Sequence, residues 1–120
     1  MKEVSRSINY KGQELKLVFN LNVMEVIQDE YGSLEEWAKK TDGNEKEPDI
    51  KALIYGMTAM FNEGIDIENE DLPADQKKEY LTHKQVGRII TEVGIGSSTE
   101  TVDGLVIDSV KDKEADSKNE

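Results

Sequence analysis

The longest apolar pattern in this chain has the spacing of an α-helix. After Asp49, six apolar side chains recur on one helical face: Ile50, Leu53, Ile54, Met57, Met60 and Phe61. Gly64 predicts the end of this helix. Gly56 lies inside it and costs about 1 kcal/mol relative to alanine, which indicates that another element approaches closely there. Filling of the core is the default role for these side chains. The chain offers few elements to cover both sides of this helix, so the alternative is that part of the apolar stripe serves a partner.

The N-terminal residues alternate in polarity, which is typical of paired β-strands. Residues 4–10 alternate apolar and polar side chains, with Arg6 interrupting the apolar face, and residues 14–19 repeat the alternation. Gly12 lies between them and can take the positive φ of a tight turn. We expect a β-hairpin. A lone hairpin is marginal in water, so its apolar face should lie on helices or on another chain.

Three further segments carry the start and stop patterns of helices. The predicted N-caps are each followed three residues later by Glu or Gln, and they are Asn22, Ser33 and Thr82. The predicted stops are Gly32 and Gly94. We expect Trp37, in the second of these helices, to be an anchor of the core or of hairpin packing; the alternative is an exposed tryptophan that binds a partner.

The pattern weakens toward the C-terminus. Residues 65–80 are acidic, with Pro73 breaking any helix, and residues 94–98 are predicted to be a flexible hinge. Thr99 is a candidate cap for a last amphipathic helix, which Gly104 weakens. Residues 111–120 are predicted to be a solvated tail.

These elements predict an α+β, mainly α fold, with an N-terminal β-hairpin packed on four to five short helices and a disordered acidic C-terminal tail. A chain of 120 residues fits one domain. We expect residues 1–95 to form that single compact domain. Residues 96–110 then form a hinge and an amphipathic helix, and residues 111–120 form the disordered tail.

Charge and cysteine content exclude several classes of function. The chain has 26 acidic and 15 basic residues and a formal net charge of −11, which opposes binding to nucleic acids and to acidic membranes. It has no cysteine, which excludes disulfides, thiolate zinc sites and cysteine nucleophiles. The N-terminus is polar, and no segment approaches the ~20 apolar residues of a spanning helix. We therefore expect a cytoplasmic protein.

Candidate sites for chemistry fail on their spacing. Residues 66–71 alternate acids as a calcium loop does, but Asp71 stands where the motif needs glycine and Lys77 where it needs glutamate. His83 is the only histidine and cannot build a zinc site alone; we expect it to be exposed. Residues 94–98 lack the lysine of a phosphate loop. Nothing in the sequence raises the pKa of a carboxyl group. We expect no enzyme, no cofactor and no metal site.

Because the sequence offers no site for catalysis or metal binding, we expect the protein to act through an apolar surface that binds a partner. Methionine side chains suit both irregular cores and adaptable grooves, and an apolar groove built from helices accepts a partner helix. The predicted partner-binding residues are Met57, Met60 and Phe61, with Leu105 and Val106 as further candidates.

The order of these segments is similar to that of a known protein family. A hairpin followed by "FNLNVMEVIQDEYGSLEEW", "EPDIKALIYGMTAMFNEGIDIENE" and "LTHKQVGRIITEVG" resembles the tail assembly chaperones of long-tailed phages and prophages of Gram-positive bacteria, over roughly residues 4–95. The resemblance implies a small protein of the host bacterial cytoplasm that binds the tape-measure protein and tail-tube subunits and keeps them soluble during tail assembly. It transfers no functional residue.

Two other classes of function stay open at this stage. One is a structural virion component, such as a connector or tail-terminator subunit. The other is an acidic regulatory module that binds a basic groove of a host protein, motivated by the acids clustered in residues 63–79. The sequence also leaves open whether copies of the chain associate into a homo-oligomer.

Overall fold

A computed structural model describes residues 1–42 and 47–118 of the protein, with side chains described up to residue 111. A β-hairpin opens the chain and five α-helices follow, which confirms the predicted fold class. The elements are β1 (Val4–Tyr10), β2 (Gln13–Phe19), α1 (Leu21–Tyr31), α2 (Leu34–Thr41), α3 (Ile50–Glu70), a 3₁₀ turn (Ala74–Gln76), α4 (His83–Val93) and α5 (Ile95–Lys118).

The hairpin closes through a two-residue turn. Its strands are antiparallel, with Val4 opposite Phe19 and Tyr10 opposite Gln13. Lys11 and Gly12 have φ values of 51° and 77°, and two consecutive positive φ angles are typical of the turns that match the twist of a hairpin. The predicted positive φ at Gly12 is confirmed, and Lys11 shares it.

Helix α3 lies at the centre of the fold. It contacts β2, α1, α2 and α4, while α5 contacts the hairpin and α4. The indole of Trp37 on α2 is fully buried, and its Nε1–H donates to the carbonyl of Ala52 at 2.9 Å. A Cβ at Gly56 would overlap the same indole ring. Both predictions are therefore confirmed: Trp37 anchors the core, and Gly56 marks a close approach.

The predicted stop of α3 at Gly64 is wrong. The helix continues through Gly64 to Glu70. A Cβ at Gly64 would lie 2.8 Å from the carbonyl oxygen of Lys16, closer than such atoms pack. Gly64 therefore allows the β2 backbone to approach α3, and it has no role in ending the helix.

At the ends of α1, α2 and α4, the helix caps agree with the sequence at all but one position. Ser33 and Thr82 are N-caps, and Thr82 forms a reciprocal capping box with Gln85. Gly32 and Gly94 end α1 and α4 with positive φ. The first N-cap is Asn20 and not Asn22, because the Asn20 side chain accepts from the N–H groups of Asn22 and Val23.

The C-terminal segment packs on the core. Helix α5 begins at Ile95, immediately after Gly94, so the structure places no separate hinge or Thr99 cap there. The guanidinium of Arg6 on β1 lies against Gly104 and pairs with Asp108 at 3.1 Å. Apart from Lys111, the predicted tail of residues 111–120 lies outside the residues whose side chains are described, and its disorder stays a prediction.

Candidate binding groove between α3, α4 and α5

Four of the five predicted partner-binding residues lie in the core. The exposed fractions of Met57, Met60, Phe61 and Leu105 are 0%, 0%, 1% and 0%, and only Val106 keeps partial exposure. These four assignments need correction. Around these buried residues, helix α3 is covered by the hairpin and by other helices, so this part of its apolar stripe stabilises the domain and leaves no surface for a partner.

An open apolar groove lies elsewhere, where the start of α3, one face of α4 and the start of α5 meet. Its volume is about 740 Å³. Its lining residues are Ile50, Ile54, His83, Lys84, Gly87, Arg88, Ile90, Thr91 and Ile95. Ile50 and Ile95 are 44% and 45% exposed. Large aliphatic side chains exposed at this level on both sides of one cavity form an apolar surface that a partner can cover.

Gly87 lies in the lining of the groove, and packing within the chain does not require it. A Cβ at this position would lie 3.6 Å from Cδ1 of Ile54, which is ordinary van der Waals contact. Gly56 and Gly64, in contrast, each accommodate a neighbouring element that a Cβ would displace. A glycine inside a helix costs about 0.5–1 kcal/mol relative to alanine. At Gly87 the absence of a side chain leaves the groove wider than alanine would.

The charged residues that line the groove are basic. Lys84 and Arg88 are four residues apart on α4 and both are exposed. Within the described part of the chain neither side chain has an ion pair or a hydrogen bond. The protein as a whole carries a formal charge of −11. The rim of the groove is therefore positively charged, whereas the protein as a whole is negatively charged.

Aromatic contacts hold one end of the groove in place. The His83 ring, exposed as predicted, meets Tyr55 edge to face at 5.9 Å between centroids, and Tyr55 meets Tyr31 in the same way at 5.5 Å. The Tyr55 hydroxyl donates to the carbonyl of Val26 at 3.3 Å. Burial, and then nearby acidic groups, raises the pKa of both tyrosines above the ordinary value. They stay neutral at physiological pH and link α1, α3 and α4.

Two asparagines on α3 hold the segment that leads into α4, residues 77–82, which we call the strap. The Asn62 amide donates to the carbonyl of Leu81 at 3.1 Å and accepts from its N–H at 2.8 Å. Asn69 pairs with the backbone of Lys78 in the same way, at 3.0 and 2.8 Å. Seven helical residues span about 10.5 Å and three extended residues about 10 Å, so the two pairs are in register. The strap thus positions the start of α4.

The acids of residues 66–71 also support the strap. The Tyr80 hydroxyl donates to Asp66, and Lys78 pairs with Glu68 at 2.7 Å. Among the described residues, no group of three or more His, Asp or Glu side chains is arranged to hold a metal ion. Asp66 and Glu68 therefore contribute to tertiary structure.

One carboxyl group departs from the expectation drawn from the sequence. The pKa of Asp103 on α5 is raised, first by burial and then by the charge of Asp42 at the end of α2. Desolvation disfavours the ionised form of a carboxyl group, and a neighbouring negative charge adds to that effect. The sequence contained no sign of this because Asp42 and Asp103 are far apart in the chain.

The groove was missed at the sequence level because three separate segments form it. Ile50 and Ile54 belong to the predicted apolar stripe of α3, from which Met57, Met60 and Phe61 were chosen as contact residues, and Ile95 lay in the expected hinge. The available sign was the basic pair on α4.

What the arrangement offers is a surface for binding, made of apolar walls and a basic rim. Within the described residues, no helix combines the length and apolar character needed to cross a bilayer. Comparison of the chain with models of known protein families, with characterised proteins and with solved structures finds no match.

Proposed function

We propose that the protein is a tail assembly chaperone of a long-tailed phage or prophage, which binds the tape-measure protein and tail-tube subunits in the host cytoplasm and keeps them soluble. The resemblance in segment order over residues 4–95 supports the family. The observation that carries the proposed activity is the open groove of about 740 Å³. It provides apolar surface for a client where the predicted contact residues do not.

The shape and lining of the groove suit a helical client. A groove between helices accepts an amphipathic helix whose apolar residues recur at i, i+3, i+4 and i+7. Exposed Ile50 and Ile95 stand at the sides, while Ile54 and Ile90 lie deeper. A tape-measure protein, as the resemblance implies, is a long helical chain with much apolar surface, and such a helix supplies anchors of this kind.

The open shape of the groove and the negative charge of the protein suit temporary binding. The groove opens to solvent and does not enclose its occupant, so the contacts can be replaced when tail-tube subunits assemble around the client. A formal charge of −11 opposes association between complexes, because like-charged assemblies repel one another.

Co-expression with the tape-measure protein of a long-tailed phage tests the proposal. We expect the chain to increase the soluble fraction of that client after centrifugation. Gly87→Leu, which fills the groove, should remove this effect. Gln28→Leu, which places the same side chain on the exposed face of α1, is the matched control and should retain it. Aggregation of the client that is unchanged by the wild-type chain would contradict the proposal.

A second candidate is a structural component of the virion, such as a connector subunit. Ile107 and Val110 on α5 are 60% and 46% exposed, and such residues suit contacts between copies in a ring. Mass spectrometry of purified virions separates the two, because a connector remains in the particle and a chaperone does not.

A further inference from the structure

We propose that the groove selects helices that carry two acidic residues, one turn apart, beside their apolar stripe. The acids would pair with Lys84 and Arg88. This inference rests on the proposed function for the identity of the client, and it adds the chemical class of the client segment.

The first argument is charge complementarity. Lys84 and Arg88 are separated by about 6 Å along α4 and border the groove on the same helix. Arg6, Lys39 and Lys78 have acidic partners within the chain; for example, Arg6 pairs with Asp108 and Lys78 with Glu68. The two rim residues have none in the described part of the chain. In a protein with an excess of acids, a free basic pair beside an apolar surface favours an acidic occupant.

One acid stands next to the groove wall on α3. Asp49, the N-cap of α3, precedes Ile50 in the chain, and its carboxylate accepts from the N–H of Ala52 at 3.1 Å. In the described part of the chain it forms no ion pair with Lys84 or Arg88. Arg88 offers a planar fork of N–H donors that matches a carboxylate, so an acid from the client has a defined place to bind.

The second argument is the position of Gly87, between Lys84 and Arg88 in the chain and in the lining of the groove. Without a Cβ, α4 lets another helix approach closely at this point. A client helix that crosses α4 at Gly87 would place its apolar side chains toward Ile54 and Ile90 and its flanking residues toward the two basic side chains. Apolar contact and charge pairing then come from the same pose.

Peptide binding to the full chain tests the inference. Three fluorescent peptides of about 16 residues would share one leucine stripe and differ only beside it, where they carry Glu, Lys or Gln. Fluorescence anisotropy in ~50 mM salt should give a Kd for the Glu peptide about tenfold lower than for the Lys peptide, as expected for two exposed ion pairs. In ~0.5 M salt the three values should converge.

Charge reversal supplies the decisive variant. Lys84→Glu combined with Arg88→Glu should reverse the preference between the Glu and Lys peptides. Glutamate at position 84, in the first turn of α4, is favourable to the helix, and position 88 is exposed, so the fold should be retained, which circular dichroism verifies. The control, Lys16→Glu with Lys40→Glu, makes the same change in net charge on exposed residues outside the groove lining and should keep the wild-type preference.

Three results would overturn the inference: equal binding of the Glu and Lys peptides, an unchanged preference in the Lys84/Arg88 variant, or no binding of any peptide. The client solubility assay with the same variants separates this failure from that of the proposed function. If wild type and the Lys84/Arg88 variant protect the tape-measure protein equally and the peptides are not discriminated, only the inference fails. If the peptides are discriminated but the client is not protected, only the proposed function fails.

Discussion

The indole of Trp37 lies directly against the backbone of Gly56, in the space that a β-carbon at residue 56 would occupy. This contact joins α2 to the centre of α3. The indole Nε1–H also donates to the carbonyl oxygen of Ala52 at 2.9 Å, which fixes the orientation of the ring. Because both residues are buried and the ring is rigid, the pair has no room to relax around an additional methyl group.

Gly56→Ala should therefore destabilise the protein. Overpacking a core costs about 1–3 kcal/mol, displacement of the indole endangers a buried hydrogen bond worth about 1 kcal/mol, and the gain in helix propensity returns about 1 kcal/mol. We expect a net loss of about 2 kcal/mol in the free energy of unfolding. Urea denaturation followed by Trp37 fluorescence measures it. An unchanged midpoint would show that α2 moves away from α3 without cost.

Gly87→Ala is the matched substitution with the opposite expected sign. The new methyl group makes only ordinary contact with Ile54, so the helix propensity of alanine should dominate. We expect the free energy of unfolding to rise by about 0.5–1 kcal/mol. The same denaturation experiment measures it, and a loss of stability would mean that α4 packs against α3 more tightly than the structure describes.

The contrast between these glycines shows how far the sequence alone could lead. A glycine inside a helical pattern is compatible with a stop, a close approach or an open groove, and Gly56, Gly64 and Gly87 look alike in the sequence. Gly56 was assigned correctly, because the apolar stripe continues beyond it, and Gly87 received no assignment. Gly64 lies where the stripe weakens, and its real partner, the carbonyl of Lys16, is distant in the chain.

Local patterns predicted well what is decided locally. The caps at Ser33 and Thr82 and the positive φ of Gly32 depend on residues within one turn. The groove depends on the relative placement of three helices, and burial of Met57 depends on which elements cover α3. Neither can be derived from spacing along one segment, so four of the five predicted contact residues are buried although the existence of α1 to α4 was predicted.

The strap should open locally when its asparagine pairs are removed. Asn69→Ala deletes both hydrogen bonds to the backbone of Lys78. Because this contact is exposed, water can replace part of it and the global stability should change by less than about 1 kcal/mol. Trypsin cleavage after Lys77 and Lys78 should accelerate, since a protease needs an extended segment that has left the surface. Limited proteolysis with mass spectrometry detects it.

The half-buried pair should be more costly to remove. Asn62→Ala leaves the N–H and carbonyl of Leu81 without their partners, and we expect a loss of about 1–3 kcal/mol in the free energy of unfolding. Asn9→Ala, on the exposed side of β1, is the control and should alter neither proteolysis nor stability appreciably. Equal cleavage rates in all variants would show that the asparagine pairs do not hold the strap.

Asp103 should make the protein less stable as pH rises, whereas most carboxylates have the opposite effect. Its folded-state pKa is raised by burial and by Asp42, so the folded state binds the proton more tightly than the unfolded state does. The stability that this group contributes is present in full below the unfolded pKa of about 3.9 and is lost as pH rises through the folded pKa. At pH 7 the ionised Asp103 therefore destabilises the fold.

Asp103→Asn removes the charge and keeps the shape of the side chain. We expect the variant to be more stable than wild type at pH 7 and the difference to shrink toward zero near pH 3, where Asp103 is protonated in both states. Urea unfolding followed by circular dichroism at the two pH values measures this. Asp75→Asn, an exposed aspartate in the 3₁₀ turn, is the control and should not share the gain at pH 7. If Asp103→Asn is less stable than wild type at pH 7, the carboxylate must have a favourable partner there, which would contradict the surroundings described for Asp103.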